Sequence, residues 1–369
     1  MAGLNAVITG WGFYVPSRVV NNDELASMVA AARKHAELPL GTEFETGDQW
    51  ITDHTGIKER RFADDGEYTS TMSAKAARRA LDRAGLSPKD VDAIIVGTAT
   101  PDYLFPSTAA LVQSQLGATR AGAFDVSAAC TGFIYGLSVA RGFIVSGTAR
   151  TVLVIGAETL SRFLDFTDRR TCILFADGAG AVVVEASNAS VGIESTIMRA
   201  DGNKAELLYL PGGGARNPAS SDSKQNGLHY LKMEGGEVFK LAVTNMAQAA
   251  EQAIAEAGLR LEDIDLFLPH QANVRIISAI AKRLRLDPNK VFVNIQKYGN
   301  TSAASIPIAL CEAEEQGRLH RGDKLLVVAF GAGFTWGAAV VEWFGPVDAY
   351  RRQGLVGRLQ RQLEELVGR

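Results

Sequence analysis

The chain has 369 residues, with 38 Lys plus Arg against 41 Asp plus Glu and a formal net charge of −3. This near balance argues against a bulk nucleic-acid binder, and 47% hydrophobic with 21% charged residues excludes disorder as the main state. No uncharged run exceeds 17 residues, and the first 17 lack both a basic start and a continuous apolar stretch, so neither a membrane span nor a secretory signal is expected.

In chain order, the Ala-rich stretch 74–84 carries its charges on one side and reads as an amphipathic helix stopped by Gly85. Short apolar runs at 93–96 and 152–155 read as strands, as does 123–126. Residues 126–140 carry no charge and are rich in small side chains, which fits a buried helix. The stretch 210–227 is a loop by composition. Residues 247–257 form a second Ala-rich helix, stopped by Gly258, and strands follow at 266–268 and 325–329. The tail 346–369 places Val356, Leu359, Leu363 and Leu366 at helical spacing among several Arg, a short amphipathic helix.

The chain repeats itself. Ala-Gly-Leu-Ser-Pro-Lys-Asp-Val-Asp-Ala-Ile-Ile-Val from Ala84 matches Ala-Gly-Leu-Arg-Leu-Glu-Asp-Ile-Asp-Leu-Phe-Leu-Pro from Ala257, an offset of 173. The strands beginning at Val152 and Leu325 keep that offset. The Gly180 and Gly337 strands, Gly-Ala-Val-Val-Val-Glu and Gly-Ala-Ala-Val-Val-Glu, stand 157 apart. Continuous apolar strands alternating with helices indicate sheets covered on both faces. The expected fold class is therefore α/β, two duplicated units packed as layers. The division is 1–190, 191–345 and the extra tail 346–369.

Four segments could carry chemistry. Cys130, in Asp-Val-Ser-Ala-Ala-Cys-Thr-Gly-Phe, falls at or near the start of the uncharged helix. Unpaired N–H groups and the helix dipole favour a thiolate there, although a small apolar core residue is the other reading of this segment. His270 closes a strand in Pro-His-Gln-Ala-Asn, where Pro269 ends the ladder. Asn300 sits in Tyr-Gly-Asn-Thr-Ser-Ala-Ala-Ser, and Thr301 or Ser302 could cap the next helix. The duplication would bring equivalent strand ends together, so that Cys130 faces His270 and Asn300. Phe-Gly-Ala-Gly-Phe-Thr-Trp-Gly from Phe330 is no dinucleotide fingerprint but suits close backbone approach and N–H donation to a carbonyl oxygen. The three cysteines, Cys130, Cys172 and Cys311, fit no zinc motif and point to a reducing, cytoplasmic compartment.

These four motifs, in this order, strongly resemble the 3-oxoacyl-[acyl-carrier-protein] synthase III family from about Ala6 to Phe344. The resemblance implies the thiolase-like fold, a layered α-β-α-β-α sandwich. It implies the initiating condensation of type II fatty acid synthesis: Cys130 takes an acyl group from an acyl-CoA, acetyl-CoA in the first place. His270 and Asn300 stabilise the enolate left when malonyl on an acyl carrier protein loses CO2. The backbone N–H groups of Cys130 and Ala332 hold the oxyanion. No metal or other cofactor is implied, acyl-CoA being a substrate. Trp50 and Arg169 match the pair that sandwiches the CoA adenine. Gly235, Phe239 and Asn273 match the pantetheine tunnel and acyl pocket. Phe105 matches the residue lent across a homodimer interface.

The chain departs from the family pattern in places. His54 stands where Arg is usual, the segment before Trp50 is about 16 residues longer, and Ala332 interrupts the glycine run. Residues 271–300 hold six basic side chains and one acid. This surface suits an acidic carrier protein, with Lys240, Arg275 and Lys282 as contacts. The rival is a specialised condensing enzyme or acyltransferase of secondary metabolism. A papain-like protease lacks support in the sequence around Cys130, and a thiolase would want a second Cys in the final glycine-rich loop.

Overall fold

The computed structural model describes residues 4–38 and 47–345. The tail 346–369 and part of the long segment before Trp50 lie outside the described residues. Two sheets form the frame. The first contains β1 (Asn5–Tyr14), β2 (Ala93–Gly97), β3 (Gly122–Val126), β4 (Thr151–Thr159) and β5 (Asp177–Ser187), in the order β1-β5-β4-β2-β3. The second contains β6 (Ile193–Ala200), β7 (Leu266–Pro269), β8 (Lys324–Gly331) and β9 (Thr335–Glu342), in the order β7-β8-β9-β6.

The repeat extends to the hydrogen-bond register. Ala93 pairs with Val152 in the first sheet, and Leu266 with Leu325 in the second, each pair displaced by the offset seen in the sequence. Both pairings are parallel, and both are followed by an antiparallel partner, β5 and β9. The counterpart of β3 is reduced to one parallel bridge, Phe267 to Val291.

Helices fill the layers. α1 (Thr69–Ala84) and α2 (Thr108–Leu116) pack on the outer face of the first sheet. α3 (Gly132–Val145) lies between the sheets and touches both. α4 (Gly235–Glu256) and α5 (Val274–Leu284) cover the outer face of the second sheet. α6 (Ser305–Glu315) is the second central helix. Helices α1 and α4 stop where the sequence requires, with Gly85 and Gly258 in the left-handed region at φ 61° and 70°. The result is the expected α-β-α-β-α sandwich. Its central core mixes residues of both halves, among them Ile134, Leu137, Val154, Val182, Ile306 and Val327.

A central helix packed between two sheets is apolar over most of its surface. That accounts for the uncharged run after Asp125 and for the buried Cys311 of α6. No described helix is long and apolar enough to cross a membrane.

Candidate active site

Cys130 sits in a tight turn, Ala129–Thr131, between β3 and α3. Ala129 adopts φ 47°, a left-handed conformation rare for a residue with a Cβ. The turn is held from the other half of the chain. The Thr131 hydroxyl lies 2.7 Å from the Thr335 hydroxyl, and both bond the Ala128 carbonyl, at 2.5 and 3.0 Å. Gly331 approaches so closely that a Cβ there would stand 2.7 Å from the Cys130 nitrogen. The glycine-rich segment therefore serves backbone approach, as its composition suggested. Gly331→Ala should displace the turn, lower stability by about 1–3 kcal/mol and slow modification of Cys130. Thermal unfolding and thiol alkylation of one preparation would check this.

Helix-start placement favours a thiolate, but burial opposes it. Cys130 is only 6% exposed. Burial is the largest influence on its thiol and raises it to about 12, with the Glu158 charge adding to the rise and Ser302 acting against it. The resting group is a thiol.

His270 follows β7, anchored by its N–H to the Val328 carbonyl at 2.8 Å. Its Nδ1 lies 2.6 Å from Ser305 Oγ, whereas Nε2 is buried without a protein partner. Burial lowers the imidazole to about 3, so it is neutral. Asn300 is fixed through its backbone. Its N–H donates to Leu174 O, and its carbonyl accepts from Ala176 N–H, both at 2.9 Å. Its Oδ1 accepts from Ser302 N–H at 2.9 Å, which leaves the amide NH2 as its other polar end.

The structure brings Cys130, His270 and Asn300 together on one cavity of about 130 Å³. Gly235, Phe239 and Asn273 line the same cavity, as does Phe330, whose ring meets His270 edge-on. Cys130 also borders a second, apolar cavity of about 80 Å³, walled by Leu160, Phe163, Phe175 and Leu210 and reaching Ala332.

The helix Asp48–Thr55 carries Trp50 and His54, stacked with ring centroids 4.1 Å apart. The Arg169 guanidinium lies 4.5 Å from the Trp50 ring centroid. The His54 Nδ1 is 2.7 Å from the Trp50 carbonyl, and the His54 carbonyl accepts from Asn273 Nδ2 at 3.0 Å. His54 thus packs onto Trp50 and ties this helix to the start of α5, where Asn273 lines the first cavity.

The remaining expected residues lie apart. Phe105 is 85% exposed, beside exposed Tyr103 and Leu104. Lys240 is exposed and ion-paired with Glu237 at 2.8 Å. Arg275 and Lys282 lie on α5, and Lys282 borders an open groove with Arg285.

Ser302 does not cap the next helix. Its Oγ lies 2.9 Å from Glu158, while the Thr301 hydroxyl is buried without a partner. Sequence reasoning passed over Glu158 and Ser305. For Glu158 a signal existed: a lone carboxylate in the apolar run Val-Leu-Val-Ile-Gly-Ala-Glu.

Comparison with known proteins accords with this geometry. Two family models match, 3-oxoacyl-[acyl-carrier-protein] synthase III over residues 124–202 and its C-terminal part over 254–343. The β-ketoacyl-[acyl-carrier-protein] synthase III of Caldanaerobacter subterraneus subsp. tengcongensis is 50% identical over 338 residues, 92% of this chain and 98% of that protein. The crystal structure of 3-oxoacyl-[acyl-carrier-protein] synthase III from Aquifex aeolicus superposes with a TM-score of 0.81 at 48% identity, covering 92% of this chain and all of that one. The priming β-ketosynthase of the R1128 polyketide pathway superposes at 0.82 with 33% identity, covering 93% and 98%. With identity at this level along nearly the whole chain, and with the glycine-rich approach to the Cys130 turn in place, the chain belongs to the 3-oxoacyl-[acyl-carrier-protein] synthase III family of condensing acyltransferases.

Proposed function

We propose that this chain condenses an acyl group from acyl-CoA with malonyl-acyl carrier protein, releasing CO2 and CoA, as the first condensation of fatty acid synthesis. The observation that carries the reading is the convergence of Cys130, neutral His270 and Asn300 on one cavity. A thiol is both a strong nucleophile and a good leaving group, so it can take and pass on an acyl chain. An enolate needs neutral donors aimed at its oxygen. When the Ser305 hydroxyl donates to Nδ1, Nε2 of His270 carries the hydrogen, and with the Asn300 amide it forms such a pair. The N–H groups of Cys130 and Ala332 then receive the oxyanion formed when the acyl-Cys carbonyl is attacked.

The CoA arm enters past Trp50 and Arg169, whose stack suits a flat adenine through cation–π and ring contacts. His54 takes the place of a phosphate-binding cation there. Pantetheine runs along Gly235, Phe239 and Asn273. The apolar cavity of about 80 Å³ has room for only a few heavy atoms, which favours acetyl as the primer. The exposed Phe105 segment is suited to burial against a second copy in a homodimer.

The acidic carrier protein docks on Arg275, Lys282 and Lys240. Charge reversal, Arg275→Glu, should raise the KM for malonyl-carrier protein by about 3- to 10-fold at low ionic strength and leave the KM for acyl-CoA unchanged. No change at low salt would remove this docking surface. The reading as a whole is tested by intact-mass spectrometry after incubation with acyl-CoAs from acetyl to decanoyl. An adduct confined to short chains supports acetyl priming. A preference for long or unusual chains favours a priming role in secondary metabolism, like that of the R1128 polyketide priming ketosynthase.

A further inference from the structure

Glu158, the last residue but one of β4, lies fully buried beneath the site, and the chemistry above leaves it idle. Its carboxylate accepts from the Thr98 and Thr100 hydroxyls at 3.2 and 2.6 Å and from Ala99 N–H at 3.1 Å. The fourth partner is Ser302 Oγ at 2.9 Å. Ser302 is itself held in a left-handed conformation, φ 50°, in the turn that also carries Asn300. Ser302 and Cys130 border the same apolar cavity, and the Ser302 hydroxyl favours the charged form of the thiol. Cys130, Ser302 and Glu158 therefore lie in succession, Ser302 beside the thiol in the wall of one cavity and hydrogen-bonded to Glu158 Oε1 behind it.

We propose that Glu158 is the proton store for Cys130, reached through the Ser302 hydroxyl. This rests on the acyl-transfer reading given above. Ser302 has one hydrogen. While it points at the carboxylate, its lone pair faces the thiol. In acylation the S–H bond breaks as sulfur bonds the acyl carbon, its proton passes to Ser302 Oγ, and the Ser302 proton passes to Glu158. CoA leaves with the electron pair of its C–S bond and takes a proton from water. In condensation the malonyl carboxylate leaves as CO2, the new C–C bond forms, and the Cys130 sulfur is expelled with its electron pair. Glu158 then returns the proton by the same steps, so atoms and charge balance over the cycle. In the acyl-enzyme Glu158 is neutral, which removes a negative charge from beneath the forming enolate.

The electrostatics support this division. Burial raises Glu158 to about 7 and lowers His270 to about 3. Of the two, only the carboxylate is basic enough to hold a proton near neutral pH. The groups around Glu158 are few. Cys130 faces it from its turn, with His270 beyond, across the first cavity. On β5, Asp177 is committed to Ser161 and Ala63 N–H. Asp102, just past Thr100, is bound to Ser70. Among the described residues no cation forms an ion pair with Glu158.

The test compares the full-length protein with Glu158→Gln and Ser302→Ala. Two rates are followed from pH 5.5 to 9: acyl-adduct formation with acetyl-CoA, and iodoacetamide alkylation mapped to Cys130. In the wild type both should rise through about pH 7 as Glu158 ionises. Both variants should lose that rise and be slower at pH 8 by about 10²-fold. A Glu158→Gln protein with wild-type thermal unfolding and an unchanged pH profile would overturn the relay. If Glu158→Gln does not fold, an unchanged profile in Ser302→Ala would do so. If the wild type takes up no acyl group at all, the acyl-transfer reading fails instead, and the alkylation profiles still decide the relay.

Discussion

Replacing Cys130 by alanine is expected to abolish acyl-enzyme formation, with a loss on the order of 10⁶-fold, the scale seen when the nucleophile of an acyl-transfer site is removed. No other side chain can take over. Cys172 and Cys311 are buried away from either cavity, and burial pushes the thiols of both upward. Neither is an accessible thiolate. The substitution removes one sulfur from a turn held mainly by Thr131 and Thr335, so thermal unfolding should change little. Intact-mass spectrometry with acetyl-CoA reads the result directly. An adduct of acetyl mass on the alanine variant would refute the assignment of Cys130.

His270→Ala should separate the two half-reactions. Acylation should stay within a few-fold of wild type, while condensation falls by about 10²–10³, the usual cost of an oxyanion donor. The reason is geometric. The imidazole is neutral, its Nδ1 is engaged by Ser305, and its buried Nε2 has no protein partner. A buried donor or acceptor left without a partner is costly unless something in the reaction uses it. Single-turnover acylation and steady-state condensation, measured on one preparation, give both numbers. Equal losses in the two would mean that the imidazole handles the thiol proton, and would count against Glu158 as well.

Much of this was legible in the sequence because duplication leaves a signature at two levels. The offset that relates Ala84 to Ala257 also relates the paired registers Ala93–Val152 and Leu266–Leu325. The uncharged run after Asp125 announced a helix buried between sheets, and Cys130 at its start followed from that. Long-range hydrogen bonding was not legible. Ser302 looked like a helix cap because capping is the commonest local use of a serine there, yet its hydroxyl bonds a carboxylate 144 residues away. Glu158 was hidden for the same reason. Its four partners come from two loops that only the folded sheets bring together. His54 read as a weaker or pH-dependent phosphate contact in place of the usual Arg, and only the fold showed it stacked on Trp50.

The grip of Thr335 and Gly331 on the Cys130 turn also sets a timetable. The ribosome makes Thr131 204 residues before Thr335, an interval of roughly 10–40 s at ordinary rates of synthesis. Throughout that interval the nascent chain carries its thiol without the strand that locks it. His270 and Asn300 likewise appear late. A reactive centre therefore switches on only with the closing strand, and a prematurely terminated chain carries a cysteine but no catalyst.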